Sequence, residues 1–199
     1  MAEVTYRAAT AADAGALAAV ARTALLDALA VSGPVPGQAV LRAGARRWER
    51  AAGGVADSAC VLASARRRVI GGCHGRRRPG RGDGPPALVI EGLAVDPMYQ
   101  DAGVGSALFL LLLARFDTTA GLCLRAAVPT ASQAGQAFFE RFEGARRYRR
   151  ASRVLPPPAL DLWFEWPSLD GFQRRLDAAL DRRLRAAGAF PFTGSREDP

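Results

Sequence analysis

The nine residues Ala87–Val95, ALVIEGLAV, narrow the folds open to this chain more than any other segment. Apolar residues fill both alternating faces, so the run reads as a central strand covered on both sides. After it come Asp96-Pro97-Met98-Tyr99, a breaker, and then Gln100-Asp101-Ala102-Gly103-Val104-Gly105-Ser106, which opens a segment (103–116) that is apolar nearly all round at Leu108–Ala114. A helix apolar on all sides is a buried helix. A buried strand that feeds a glycine-bearing turn and a buried helix leaves several backbone N–H groups without partners, aligned at the positive end of the helix dipole. Such a terminus suits a phosphate or pyrophosphate, with Ser106 adding a hydroxyl donor. The same glycines would also serve plain close packing of helix on strand. No third glycine stands in register at Ala107–Leu108 and no Gly-Lys-Ser/Thr follows, so neither the dinucleotide fingerprint nor the triphosphate loop is spelled out.

The segments around this unit supply its neighbours. Val4–Ala8 reads as a short strand, and Asp13 as the cap of a helix reaching about Val31, with Leu17, Val20, Leu25 and Leu29 among its apolar positions. Ser32–Gly37 is a breaker-rich loop, and a second helix is expected at about Gln38–Ala52 with Leu41 and Trp48 inward. Ala59–Ala65 and Arg68–His74 read as an antiparallel pair. Gly75–Pro86 (GRRRPGRGDGPP) has the composition of a basic turn region without regular structure. Leu122–Val128 is a strand, Ser132 caps a helix to about Phe142, and Arg146–Leu155 is a weak strand. Leu160–Trp166 alternates, with Leu160, Leu162, Phe164 and Trp166 on one face. Ser168 caps a last amphipathic helix to about 187, followed by a loose tail. Hairpins in the middle and a strand–helix–strand unit after Ala87 predict an α/β (α+β) fold, a mixed and mostly antiparallel sheet flanked by helices. Length and a 49% apolar content fit one domain over residues 1–199, or one domain with an appendage, and the run of elements from Val4 to Trp166 is expected to make its core.

Composition removes several function classes. His74 is the only histidine, and Cys60, Cys73 and Cys123 are scattered in apolar runs, so no metal site and no disulfide framework is expected. No secretory leader precedes the first strand and the longest apolar run is too short to span a bilayer, so a cytoplasmic protein without a membrane segment is expected. All 27 basic residues are Arg and the net charge is +8; a solvated basic surface is the first reading of that charge, with a polyanionic ligand or an acidic partner as the alternative. No zinc, helix-turn-helix or RNP pattern supports nucleic-acid binding.

The stretch Leu93-Ala94-Val95-Asp96-Pro97-Met98-Tyr99-Gln100-Asp101-Ala102-Gly103-Val104-Gly105-Ser106-Ala107-Leu108 resembles the signature of the GNAT superfamily, the GCN5-related N-acetyltransferases: a strand L-x-V-x-P, then Q/R-x-x-G-x-G/A, then an apolar helix. The opening Val4–Ala14 is similar to that family's first strand and helix entry. Ser132-x-x-Gly135-x-x-Phe138-Phe139-Glu140 resembles its late helix. The resemblance implies acetyl-CoA as cosubstrate and an amine as acceptor. It places a bulge near Leu93–Ala94 and a splay between the central strand and the next. Pantetheine would pair with Leu93 and Val95, the thioester carbonyl would meet an N–H near Leu93 or Ala94, and the pyrophosphate would rest on Gln100, Asp101, Ala102, Gly103, Val104, Gly105 and Ser106.

Transfer to an amine needs a neutral nucleophile and a place for its proton. Glu91, the only acid inside the apolar strand, is the candidate base; pairing with an Arg of a neighbouring strand is its alternative role. Glu91-Gly92 also resembles the pair found in aminoglycoside 6′-N-acetyltransferases. A Tyr on the late helix protonates the departing thiolate in many relatives, but Phe139 stands there and has no proton to give. Tyr148 is the candidate substitute. Ser132 either hydrogen-bonds the pantetheine or caps its helix. The Ser32–Gln38 and 154–159 loops are the expected walls of the acceptor site, and neither is acidic. A catalytically silent acyl-CoA binder is the rival reading, and a basic nucleic-acid binder a more distant one. The apolar stripe of the last helix suits either its own domain or a homodimer.

Overall fold

The computed structural model describes residues 3–30, 36–80, 84–116, 121–142, 145–152, 155, 159–174 and 177–178. Among them, seven strands form one open mixed sheet: β1 (Val4–Ala8), β2 (Ser58–Ala65), β3 (Arg68–Arg78), β4 (Ala87–Val95), β5 (Cys123–Pro129), β6 (Arg146–Ala151) and β7 (Leu160–Trp166), in the order β1-β2-β3-β4-β5-β7-β6. Every neighbouring pair is antiparallel except β4 and β5. A parallel pair needs a crossover, and α3 (Val104–Leu113) provides it. The helices α1 (Ala14–Leu29), α2 (Gln38–Ala52) and α4 (Gln133–Glu140) complete the set.

The sheet carries an apolar layer on each face. On one, Val104, Leu108 and Leu112 of α3 pack with Val61, Ala63, Ile70 and Cys73, and the layer continues into Phe109, Phe139, Phe142, Phe164, Trp166 and Phe172. On the other, Leu17 and Val20 of α1 and Trp48 of α2 cover Cys60, Leu62 and Ala94. β4 is buried between them, as a run apolar on both faces requires.

Four sequence expectations change. β3 does not stop at His74 but runs to Arg78, with Gly75, Arg76, Arg77 and Arg78 paired to Ile90, Val89, Leu88 and Ala87. The long apolar partner supplies a complete backbone ladder, and that outweighs the turn-like composition of the segment. Asp13 does not cap α1 with its side chain; its carboxylate instead accepts from the Thr10 N–H and hydroxyl and from Arg7. On β7 the buried set is not one alternating face: Leu160 is 39% exposed, whereas Asp161 and Trp163 are buried, because β7 lies inside the sheet between β5 and β6. β6 ends at Ala151, short of Leu155. Residues 169–174 are helical, with Leu169 and Phe172 buried, but most of the expected last helix and all of the tail lie outside the described residues, as do 32–35 of the first loop and most of 154–159.

Candidate active site

The site begins where two strands part. β4 and β5 pair from Ala87↔Cys123 to Ile90↔Ala126 and no further, although β4 continues to Val95 and β5 to Pro129. β5 keeps β7 as its other neighbour through Pro129, so β4 offers an uncovered edge to the gap. The register with β3 shows the cause. His74 lies opposite Gly92 and Gly75 opposite Ile90, so Glu91 is an extra residue that bends β4. The bulge is therefore at Glu91, earlier than the expected Leu93–Ala94. A Cβ on residue 92 would fall 2.5 Å from His74 Nε2 and 3.1 Å from Trp48 Cζ2, so a glycine must face the imidazole and the slack falls on its neighbour.

The direction of the free edge follows from one hydrogen bond. The Asp96 N–H donates to the Ile70 carbonyl on the β3 side at 2.8 Å. Alternation then turns the backbone groups of Val95 and Leu93 the other way, into the gap. The Val95 carbonyl accepts there from Gln100 Nε2 at 3.2 Å, so Gln100 ties the turn back onto the strand.

One end of the cleft is the turn before α3. Asp96 fixes its start: the carboxylate accepts from the Met98 N–H at 3.1 Å and from Arg68 at 2.8 Å. Asp101 and Gly103 have φ of 58° and 84°. Gly103 is the N-cap of α3 and supplies no side-chain acceptor, which leaves the first-turn N–H groups for an outside anion. Gln100, Asp101, Gly103, Gly105 and Ser106 line this end. Ala102 and Val104 do not; Ala102 is exposed and the Val104 side chain enters the core. The opposite wall is α4, with Gly135 and Phe138, and Arg141 at its C-cap. A Cβ at Gly135 would meet Val128 Cγ1 at 2.7 Å, so α4 reaches β5 only through a glycine. Ser132 caps α4, its Oγ accepting from the Gly135 N–H at 3.3 Å, and it also lines the cleft. Arg141 Nη2 stands 3.8 Å from Asp101 at the mouth.

The other end opens toward α1 and α2. It shares Leu93, Ala94, Ser132, Gly135 and Phe138 with the first and adds Ile90, Glu91, Leu25, Leu41, Trp48, Arg22 and Arg47, so the cleft is continuous. Glu91 Oε1 lies 2.7 Å from Arg78 Nη2, and its side chain is 27% exposed. The pairing with a neighbouring-strand Arg is thus present, and the carboxylate nonetheless borders the cleft. Behind it, His74 is 2% exposed, its ring edge-on to Trp48 at 4.5 Å, and its Nε2 has no hydrogen-bond partner among the described residues. Burial pushes its pKa down to about 4, against a smaller upward pull from Glu91 and with Arg47 adding to the fall.

Tyr148 is not brought to the cleft. It lies on edge strand β6, its ring stacked on Trp163 at 6.1 Å and under the Arg150 guanidinium at 4.9 Å. The 5→7→6 strand order puts β7 between it and β5, which chain order alone does not reveal. Phe139 is buried, packed on Phe109, Phe138, Phe164 and Trp166. Among the described residues no Tyr, His or Cys lines either end. The sequence reading missed Arg22 and Arg47 on the helices, Phe138 on α4 and Arg141 at its C-cap as cleft residues. Their only signal was position on helices whose packing was still undefined.

The model of the acetyltransferase (GNAT) family matches residues 25–144, more than half of the chain. The chain belongs to the GNAT acetyltransferase family. By sequence, no curated protein matches it. This GNAT chain is similar in fold to NAA60 of Arabidopsis thaliana in complex with acetyl-CoA (14% identity, TM-score 0.60, covering 84% of this chain and 99% of that one). It is also similar to diaminobutyrate acetyltransferase EctA of Paenibacillus lautus with L-2,4-diaminobutyric acid and coenzyme A (15%, 0.59, 84% and 96%). A third is the Paia N-acetyltransferase of Thermoplasma acidophilum with coenzyme A (16%, 0.58, 82% and 99%). As a GNAT enzyme it takes acetyl-CoA as cosubstrate, and the cleft fits that group: an uncovered strand edge for an extended chain, and capless helix amides at one end for its phosphates. No helix of the described residues is long and apolar enough to cross a membrane.

Proposed function

We propose that this GNAT enzyme acetylates a primary amine, held at the α1–α2 end of the cleft, with Glu91 as base. The observation that carries the reading is the run of the cleft from the amides of α3 past the free edge of Leu93 to Glu91 in one continuous space. Bound acetyl-CoA supplies an activated acyl carbon and a thiolate leaving group. Leu93 and Val95 turn backbone groups into the gap and would hold the extended pantetheine as a neighbouring strand does. The N–H of Leu93 would donate to the acyl oxygen, whereas that of Ala94, the other candidate, turns toward β3. The amides of about 101–106 would take the pyrophosphate. Glu91, bordering the space where an amine would approach, would accept its proton, with Arg78 holding the carboxylate in place. No Tyr, His or Cys among the described lining residues is at hand for the thiolate, so its proton would come from solvent.

The test is thiol release from acetyl-CoA with a panel of primary amines, for the wild type and Glu91→Gln. Loss of about a hundredfold in kcat with unchanged acetyl-CoA affinity is expected. Tight acetyl-CoA binding with no turnover of any amine would instead favour the silent binder, the reading that the buried Phe139 supports.

A further inference from the structure

We infer that the acceptor is an amino acid or a close relative: an amine with a carboxylate a few bonds away and an apolar side chain. This rests on the proposed acetylation at the same cleft and adds the chemical class of the acceptor. The α1–α2 end is an apolar cavity of about 230 Å³, walled by alanines of α1 and by Leu25, Leu41 and Trp48. Three charged side chains interrupt that lining: Arg22, Arg47 and Glu91.

Their signs and places define a complement. Arg47 is half-buried, and its Nη1 lies 3.5 Å from the Glu91 carbonyl oxygen, a long contact that uses one of five guanidinium donors. An arginine facing an apolar lining at that depth calls for an anion, and its planar fork matches a carboxylate. Arg22 is exposed on the same wall and adds a second cation. Glu91 supplies the opposite charge in the same lining, so an ammonium and a carboxylate would each meet a counter-charge there. The pair Glu91–Arg47 therefore fits a zwitterion, with Leu25, Leu41 and Trp48 left to cover an apolar side chain. A polyamine or polycationic sugar would bring its further ammonium groups against Arg22 and Arg47. In the transfer, the amine nitrogen bonds the acyl carbon as the carbon–sulfur bond breaks. The sulfur leaves with that electron pair and takes a proton from solvent. The nitrogen gives up two protons as the ammonium becomes an amide, and they pass by way of Glu91 to solvent.

Two measurements separate this inference from the acetylation reading. Thiol release is followed with L-leucine, L-phenylalanine, their amides and spermidine. Calorimetry is run with N-acetyl-L-leucine and its amide, which needs no turnover. The expected result is a kcat/KM at least about tenfold higher for the free acids than for the amides, with a matching preference in product binding. Arg47→Met should erase that preference, read as the acid-to-amide ratio of kcat/KM within the one variant, and Arg22→Gln should weaken it. Amides or spermidine turned over as well as the acids would overturn the inference and leave the acetylation reading standing. Carboxylate-selective product binding without any turnover would do the reverse. Absence of both would overturn both.

Discussion

Acid should destabilise this protein through one side chain. His74 is the only histidine, it is 2% exposed, and burial holds its pKa near 4 in place of the ordinary 6.5. The folded state thus prefers the neutral imidazole, whereas the unfolded chain takes up a proton as pH falls through about 6.5. The stability associated with this depressed group is complete above the unfolded value and is lost progressively as pH falls from there toward the folded one. At about 1.4 kcal/mol per unit, the loss comes to about 2 kcal/mol between pH 7.5 and pH 5 and about 3 kcal/mol near pH 4. In the upper part of that window the carboxylates are ionised in both states, so the slope belongs to His74. Asp13, held well below the usual carboxylate range mainly by its hydrogen bonds to Arg7, adds a second loss only below about pH 4. Urea unfolding at a series of pH values, on the wild type and on His74→Gln, measures the effect. The wild type should lose about 2 kcal/mol by pH 5, and the Gln variant, whatever its absolute stability, should be nearly flat over the same range. A flat wild type, or an equal slope in both proteins, would refute the argument, because the imidazole would then keep a proton partner or solvent access in the folded state.

Three further outcomes follow from the cleft and core. Gly103→Val places a side chain at φ 84°, which costs about 1–3 kcal/mol and disturbs the α3 cradle, so the melting temperature should fall and the KM for acetyl-CoA rise about tenfold; an unchanged KM would separate the turn from cofactor binding. Asp101→Asn removes a carboxylate that is 86% exposed beside the same cradle, so acetyl-CoA should bind a few-fold tighter at low salt, with stability changed by less than about 0.5 kcal/mol because the Arg141 contact is a surface pair. Burial pushes the Cys60 thiol up to about 12 and holds Cys73 and Cys123 above their usual value, so the folded protein should not react with a thiol reagent at pH 8 and should show three reactive thiols after denaturation.

The parts of the fold legible in the sequence were those carried by period and punctuation. ALVIEGLAV announced a strand buried on both faces, and the apolar run after Gly103 a buried helix, because burial on all sides leaves no polar residues to tolerate. Ser132 announced the cap of α4, a contact made within three residues. The extension of β3 through Gly75–Arg78 was not legible, since its ladder depends on a partner whose pairing no local pattern specifies. For the same reason Tyr148 could not be judged: its distance from the cleft is set by β7 inserting between β5 and β6.

The sequence by itself determined the place where a central strand, a glycine-bearing turn and a buried helix follow one another, because the three are contiguous in the chain. Only the tertiary structure decided what else faces that place. The packing of His74 against Gly92 moved the bulge to Glu91, and the folding of α1 and α2 over the sheet brought Arg22 and Arg47 to the same cavity. Backbone groups within one turn are bound by local geometry, whereas side chains from separate helices meet only when the hydrophobic layers that carry them have closed.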